Sequence, residues 1–403
     1  MPYRPDRTLI DVEDALALLA VHGEPVGRTE RVPLEHADGR VLADDLVAPA
    51  DVPRFARALM DGFAVRSADT ADATPERPTT LRLLEMVYTG STPSAAVEPH
   101  SCCGIATGAP VPTGADAVVM VEHTRTVGHM VHVHRKVAPR QNIGRAGSDL
   151  VAGQIALREG TVLSPASLGV VAALGLDEIR VFARPRVAIL STGDEIVAPG
   201  GTLGAAQIFD SNTTALAAAV GRHGGEPVVA PRVGDDRGAL AAAFERCLDA
   251  DMVLFSGGTS VGERDYLLEI IEAAGKVIFE GLKLKPGRPT VFAVVSGRPV
   301  FGMPGNPVSC LTNAYLLVAP MLRRMSRLRP AATHSVLARL AERVESPLGR
   351  HQIYPVRLEG DAAIPMFKGS GEITSLAWAD GYFEIAAGVA AVDVGTVVTV
   401  TLF

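Results

Sequence analysis

From Arg186 to Leu328 the sequence repeats one pattern: a short apolar run without helical period, a turn, then a stretch with helical spacing. The runs fall at 187–190, 227–233, 252–255, 277–283, 290–295 and 300–302, and the helical stretches at 213–223, 237–248, 265–274 and 307–324. Apolar runs this short, bounded by turns, read as buried strands. Strands that alternate with helices demand a parallel sheet covered on both faces. A ligand of such a sheet sits beyond the carboxyl ends of the strands, so the turns there are the first place to look. The run Met252 to Phe255 ends in Ser256-Gly257-Gly258, and the run at 300–302 ends in Met303-Pro304-Gly305-Asn306-Pro307. A glycine turn between strand and helix brings backbone N–H groups close to an anion because no Cβ intervenes. An isolated Gly-Gly is more often a plain left-handed turn. Two turns of this kind in one sheet shift the balance toward a phosphate-bearing small molecule.

The remainder of the chain has a different texture. Residues 9–20 have helical spacing with Asp11 placed to cap them, 165–175 read as a short helix, and 29–50 turn to short β runs. Between them, 51–139 form a β-rich stretch with runs at 81–86, 117–121 and 127–133. After a linker at Pro330, residues 334–403 show short alternating runs ending in Val397-Val398-Thr399-Val400. The fold class expected is therefore multi-domain α/β plus β. A discontinuous mixed domain (1–50 and 140–185) carries a β-rich insert (51–139), followed by the α/β domain (186–328) and a small C-terminal β-barrel (334–403). A chain of 403 residues has room for this many cores, and with only 5% aromatic residues they should be packed from Val, Leu and Ala. A net charge of −7 argues against a nucleic-acid-binding face. No run is long enough for a membrane span and the first residues lack an apolar signal core, so a cytoplasmic protein is expected.

Acidic residues recur at the ends of the α/β runs: Asp194 and Glu195, then Asp235 and Asp236, and Asp265 beyond the glycine turn. Gathered on one rim beside a phosphate-binding turn, they would suit Mg²⁺, which binds through a few carboxylates, waters and substrate phosphates. Any one of them alone reads better as a helix cap. Lys283 and Lys285 are placed on one strand face with Arg288 just beyond, a set that could offset an oligophosphate or an oxyanion, or simply blunt an edge strand. His129, His132 and His134 lack a carboxylate or cysteine at metal-ligand spacing and read as an exposed strand. Cys102, Cys103, Cys247 and Cys310 read as small buried residues.

Six segments occur in an order that resembles the molybdopterin molybdenumtransferase family, which includes MoeA and the E domain of gephyrin. They are Met60-Asp61-Gly62-Phe63-Ala64-Val65-Arg66, Thr107-Gly108-Ala109-Pro110-Val111-Pro112, Ser191-Thr192-Gly193-Asp194-Glu195, Ser256 through Tyr266, Lys285-Pro286-Gly287, and Pro304-Gly305-Asn306-Pro307-Val308-Ser309. The resemblance spans essentially the full length. It implies an enzyme that binds adenylylated molybdopterin, cleaves its phosphoanhydride with Mg²⁺, inserts molybdate, and releases AMP and the molybdenum cofactor. It also implies a homodimer of four-domain subunits whose α/β domain resembles the molybdopterin adenylyltransferase, itself a possible partner alongside other cofactor-synthesis proteins. In that family the active site combines this α/β domain with N-terminal elements of the partner subunit.

Carried over position by position, the resemblance assigns functional roles to Asp61, Thr107, Asp149, Glu195, Asp235 or Asp236, Asp265, Lys285 and Ser370. Glu195, the 235/236 pair and Asp265 would hold Mg²⁺ and the pyrophosphate, and Lys285 and Ser370 would hold molybdate or its neighbours. Asp61, Thr107 and Asp149 would face the partner's site. Ser256, Gly257, Gly258, Ser260, Lys283, Arg288, Pro304, Gly305, Asn306 and Pro307 complete the expected substrate-binding set. Three positions depart from the family pattern. A second lysine of the Lys285 strand falls on Gly281, for which Lys283 is the candidate substitute. An arginine falls on Pro355, with Arg350 or Arg357 as candidates, and Ser148 stands where an acid is preferred. Two other readings share the α/β domain: a nucleotide pyrophosphatase of the competence-damage type, which lacks the 60–66 and 107–112 segments, and a cofactor-binding scaffold.

Overall fold

The computed structural model describes residues 9–234, 236–257 and 266–403. Asp235, Gly258, Ser260 and Asp265 lie outside the described residues. The chain divides into two compact units, Met1–Glu30, Gly39–Val41 and Val181–Phe403 forming one, and Arg31–Asp38 and Leu42–Arg180 the other.

The first unit is built around a six-stranded sheet in the order Glu226–Val229, Arg186–Ser191, Met252–Ser256, Arg298–Met303, Val291–Val295 and Lys276–Glu280. The first four strands are parallel, as strand–helix alternation dictates. Val291–Val295 runs antiparallel to both its neighbours, because Gly297, in the left-handed region at φ +78°, and Ser296 join it to Arg298–Met303 in a tight hairpin that leaves no room for a crossover helix. Side chains alternate between two cores. Val187, Ile189, Met252, Leu254 and Phe301 face Leu216 and Val220 of the helix Ser211–Arg222 and Ala314 and Leu317 of the helical stretch 307–325. Ala188, Leu190, Val253, Phe255 and Val300 face Leu240 and Phe244 of the helix Arg237–Cys247 and Leu267 and Ile271 of the helix Tyr266–Ala274.

Residues 334–403 close into a ring: His351–Glu359, Ala362–Pro365, Ser335–Leu340, Val397–Leu402 and Gly381–Ile385 pair in turn, and the last returns to the first. The short strand Leu284–Lys285 adds to the outside of this barrel, Leu284 opposite His351 and Lys285 opposite Gln352. Ile353 crosses into the core of the α/β layer, so barrel and sheet share apolar packing.

The second unit carries a six-stranded mixed sheet in the order Ala117–Met120, Gly62–Val65, Ser101–Ile105, Thr79–Val87, Met130–Val133 and Thr124–Val127. Both faces are covered: Phe63, Val65, Cys102 and Val119 join one core, and Ala64, Cys103 and Val118 the other. The adjacent cysteines are thus one strand's two faces. Burial pushes the Cys102 thiol up to about 12 and that of Cys103 to about 11. The run expected at 127–133 is in fact a hairpin, since Val127 pairs with Met130 across Gly128-His129 and Gly128 takes φ +60°. His132 and His134 have protein partners: Thr80 Oγ1 at 3.0 Å and the Pro75 carbonyl at 3.3 Å.

Candidate active site at the carboxyl rim of the sheet

The register of the three central strands sets the rim. Ser191 lies opposite Ser256, and Ser256 opposite Met303, so all three strands end at one level. Their turns then touch. Thr192 N–H donates to the Ser256 carbonyl at 3.1 Å. Gly257 adopts φ +99°, and a Cβ there would come within 2.7 Å of the Thr192 carbonyl oxygen. Gly305 comes close enough that its own Cβ would sit 3.9 Å from the Gly257 Cα. Gly257 is therefore glycine for two reasons, its backbone angle and the neighbouring carbonyl.

The next strand end adds the acids. Val233 bridges to Thr192 in parallel fashion, which brings Val233 and Gly234 beside Asp194. A Cβ on Gly234 would lie 2.6 Å from Asp194 Oδ1. Glu195 is exposed, and its carboxylate folds back over Gly193, whose φ is +127°. Its carbonyl accepts the Ile208 N–H at 2.8 Å, anchoring the small parallel ribbon of Ile196–Val197 and Ile208–Phe209. Asp236 caps the helix Arg237–Cys247 by accepting the Ala239 N–H at 2.7 Å, so the capping role that a lone acid suggests is real here. Among the described residues no group of three His, Cys, Asp or Glu side chains gathers at metal-binding distance. Asp194, Glu195 and Asp236 nonetheless stand exposed on adjoining strand ends as hard oxygen donors, a partial set that fits Mg²⁺.

The opposite side of the rim is made by the barrel. Asn306 does not cap its own helix; its Nδ2 donates to Ser370 Oγ at 2.8 Å, and Val308 N–H donates to the Ser370 carbonyl at 3.0 Å. Ser370 is thereby brought to the Pro304–Pro307 turn. Ser256 turns away from the rim: it is 3% exposed and hydrogen-bonded to the Cys310 thiol, which burial pushes up to about 12.

Lys285 is half-buried, its ammonium 5.9 Å from the centre of the Phe367 ring in the segment leading to Ser370. Arg288, two residues past Pro286, is exposed. Lys283 departs from expectation. The strand stops at Glu280, where Gly281 takes φ +91°, so Lys283 lies in a bend and not on a face shared with Lys285. Its ammonium pairs with Asp11 Oδ2 at 3.0 Å, and Asp11, for its part, makes no side-chain cap to its helix. The Lys283 ammonium is therefore engaged with Asp11 in an exposed pair. Arg357 pairs with Glu359 on the barrel strand.

Two rim residues escaped the sequence reading. Asn212, 9% exposed on a helix capped by Asp210, donates to the Gly305 carbonyl at 2.8 Å and steadies that turn. Arg232 donates to the Gly193 carbonyl at 3.0 Å, placing a cation beside the acids. The Asp210-Ser211-Asn212-Thr213 capping signature pointed to the first; nothing marked the second.

In the other unit, Asp61 Oδ1 accepts the Thr107 N–H at 2.7 Å, joining two of the predicted residues. Gly62 follows because a Cβ there would run into the Val119 carbonyl. Asp149 is exposed where Leu150 bridges Val52, and its backbone N–H donates to the Val52 carbonyl at 3.0 Å.

Comparison with known proteins agrees along the whole chain. Residues 10–175 match the family described as MoeA N-terminal region (domain I and II), 188–324 the probable molybdopterin binding domain, and 337–403 the MoeA C-terminal region (domain IV). Molybdopterin molybdenumtransferase 2 of Mycobacterium tuberculosis is 36% identical over 375 residues, covering 91% of this chain and 93% of its own. The molybdopterin molybdenumtransferase of Nostoc sp. is 34% identical over 332 residues, covering 81% and 76%. Among solved structures, a molybdopterin biosynthesis MoeA protein from Pyrococcus horikoshii superimposes with a TM-score of 0.85 at 37% identity, over 98% of this chain and 99% of that one.

Proposed function

Because the chain belongs to the molybdopterin molybdenumtransferase (MoeA) family, we propose that its carboxyl rim binds adenylylated molybdopterin and couples cleavage of the phosphoanhydride to insertion of molybdate. The protein is a transferase of molybdenum cofactor biosynthesis. The observation that carries the finer reading is the meeting of the Gly257 and Gly305 turns with Asp194–Glu195, Val233 and Gly234 at the ends of adjacent strands.

Each group has a task in this scheme. The Gly257 and Gly305 turns give the diphosphate a close approach to the backbone, where N–H groups offset its charge without a side chain between. Glu195 and Asp236 would hold Mg²⁺, with Asp235 and Asp265 as the further ligands expected from the family resemblance, and the ion would supply further charge neutralisation at the anhydride. Arg232 adds a fixed cation on the same side. Lys285 and Ser370 take molybdate: an ammonium and a hydroxyl donor match a tetrahedral oxyanion, and Asn306 holds the Ser370 hydroxyl in place. The same reading makes the enzyme a cytoplasmic homodimer in which Asp61, Thr107 and Asp149 serve the site of the partner subunit.

The test is AMP release by purified protein given adenylylated molybdopterin, Mg²⁺ and molybdate. Release that requires molybdate and falls at least a hundredfold in Glu195→Gln, the order expected when one electrostatic contact to developing charge is lost, supports the scheme. Release indifferent to molybdate would instead mark a nucleotide pyrophosphatase.

A further inference from the structure

The helix Pro307–Asn313 touches the candidate site at both ends. Its first turn fastens Ser370 through Asn306 and Val308. Its last residue, Asn313, is wholly buried, and its Nδ2 donates to the Gly287 carbonyl at 2.8 Å and to Thr290 Oγ1. Thr290 Oγ1 in turn donates to the same Gly287 carbonyl at 2.9 Å. Gly287 takes φ +117°, and a Cβ there would run into the Asn313 amide. Asn313 Oδ1 has no donor among the described residues, so the side chain is oriented by what its amide hydrogens hold. An unpaired buried oxygen is costly, and its retention implies that the two donated bonds matter more.

The segment held this way carries Lys285 and Arg288. It is a closed loop: Gly281 N–H donates to the Thr290 carbonyl at 2.8 Å, and Leu282 N–H to the Arg288 carbonyl at 2.9 Å. Between Lys285 and Gly287 stands only Pro286, whose ring fixes φ and which has no N–H of its own. A restraint on the Gly287 carbonyl is therefore passed to the Lys285 backbone with little slack.

We propose that Asn313 is a positioning residue for the reaction: from the buried end of its helix it fixes the Lys285–Arg288 turn, and so sets where the Lys285 ammonium meets the oxyanion. The proposal rests on the assignment of Lys285 to molybdate made above. One helix then sets both walls of the oxyanion subsite, Ser370 from its start and Lys285 from its end.

The experiment compares wild type, Asn313→Leu, Thr290→Val, Lys285→Ala and the Asn313→Leu/Lys285→Ala double variant in molybdate-dependent AMP release. Thermal melting and amide hydrogen exchange are followed in parallel. Losing the amide's hydrogen bonds to the Gly287 carbonyl and to Thr290 Oγ1 should raise half-saturating molybdate about tenfold in Asn313→Leu, while half-saturation by the pterin nucleotide stays within about twofold. Thr290→Val should shift it in the same direction by less, which keeps the idea testable if Asn313→Leu folds poorly. Exchange should quicken across 282–290 and not in the helix Tyr266–Ala274. In the Lys285→Ala background, Asn313→Leu should add nothing. An equal loss with or without Lys285, or unchanged exchange across 282–290, overturns the proposal. If Lys285→Ala matches wild type, the assignment of Lys285 fails, and with it any action of Asn313 through that residue. If wild-type protein releases no AMP, the insertase scheme fails on its own, and the exchange data still decide whether Asn313 holds the loop.

Discussion

At the scale of single residues, the rim turns on where a side chain is absent. Gly257 holds a left-handed angle with no space for a Cβ in front of the Thr192 carbonyl. Gly257→Ala should therefore cost about 1–3 kcal/mol in urea unfolding and push the two strand ends apart, with a drop in activity larger than the stability loss explains. An unchanged urea midpoint would mean the turn relaxes freely. Lysines give the complementary case. Lys283 is tied to Asp11 in an exposed pair, so Lys283→Ala should leave stability within about 1 kcal/mol and turnover near wild type, whereas Lys285→Ala should not. The sequence placed both lysines on one face because it supplied alternation and no sign that Gly281 would break the strand. It could name Glu195, Gly257, Gly305 and Asn306 as rim residues, since strand–turn–helix order alone puts them there. It could not foresee Arg232 or Asn313, whose partners are backbone carbonyls 39 and 26 residues away in the chain.

At the scale of elements, periodicity recovered most helices of the α/β layer to within two residues but could not resolve what happens inside one. The stretch 307–324 reads as a single helix; it is helical at Pro307–Asn313, widens to a π turn over Ala314–Val318, and resumes at Ala319–Met325. Pro320, which has no N–H to return to the preceding turn, stands where the tighter register restarts. Tyr315 in the widened turn meets the His223 ring edge-on at 6.1 Å, above a small apolar cavity lined by Leu216, Val220, Ala314 and Val318. Neither ring nitrogen of His223 has a partner among the described residues. Burial, with Arg323 and Arg222 nearby, holds its pKa below the ordinary value. The folded state therefore resists the proton that the unfolded chain accepts near pH 6.5, so this contribution to stability is present above that pH and is lost as pH falls through it. Melting temperature should drop between pH 7 and 5.5 in wild type and drop less in His223→Phe. Parallel curves for the two proteins would remove His223 from the account.

At the scale of the whole molecule, the question is whether one chain makes a complete site. The acids and glycine turns of the rim belong to one unit, while the Asp61–Thr107 pair belongs to the other. In the same unit as that pair, Phe55, Leu59, Met60, Met86 and Tyr88 are 43% to 61% exposed. On the function proposed here, a symmetric dimer would bring Asp61 to the site of the partner subunit. Mixing two inactive variants separates the possibilities. Let Glu195→Gln and Asp61→Asn each lack activity, and let subunits be exchanged at equal amounts. If each site draws Glu195 from one subunit and Asp61 from the other, every mixed dimer holds one doubly damaged site and one intact site. Mixed dimers make up half of a random population, so about a quarter of wild-type activity should return. If each site is built within one chain, every site in the mixture carries one lesion and activity stays at the level of the single variants. Recovery near a quarter, together with a dimer mass in light scattering, would establish a shared site; a dimer mass without recovery would keep the dimer and return Asp61 to its own chain.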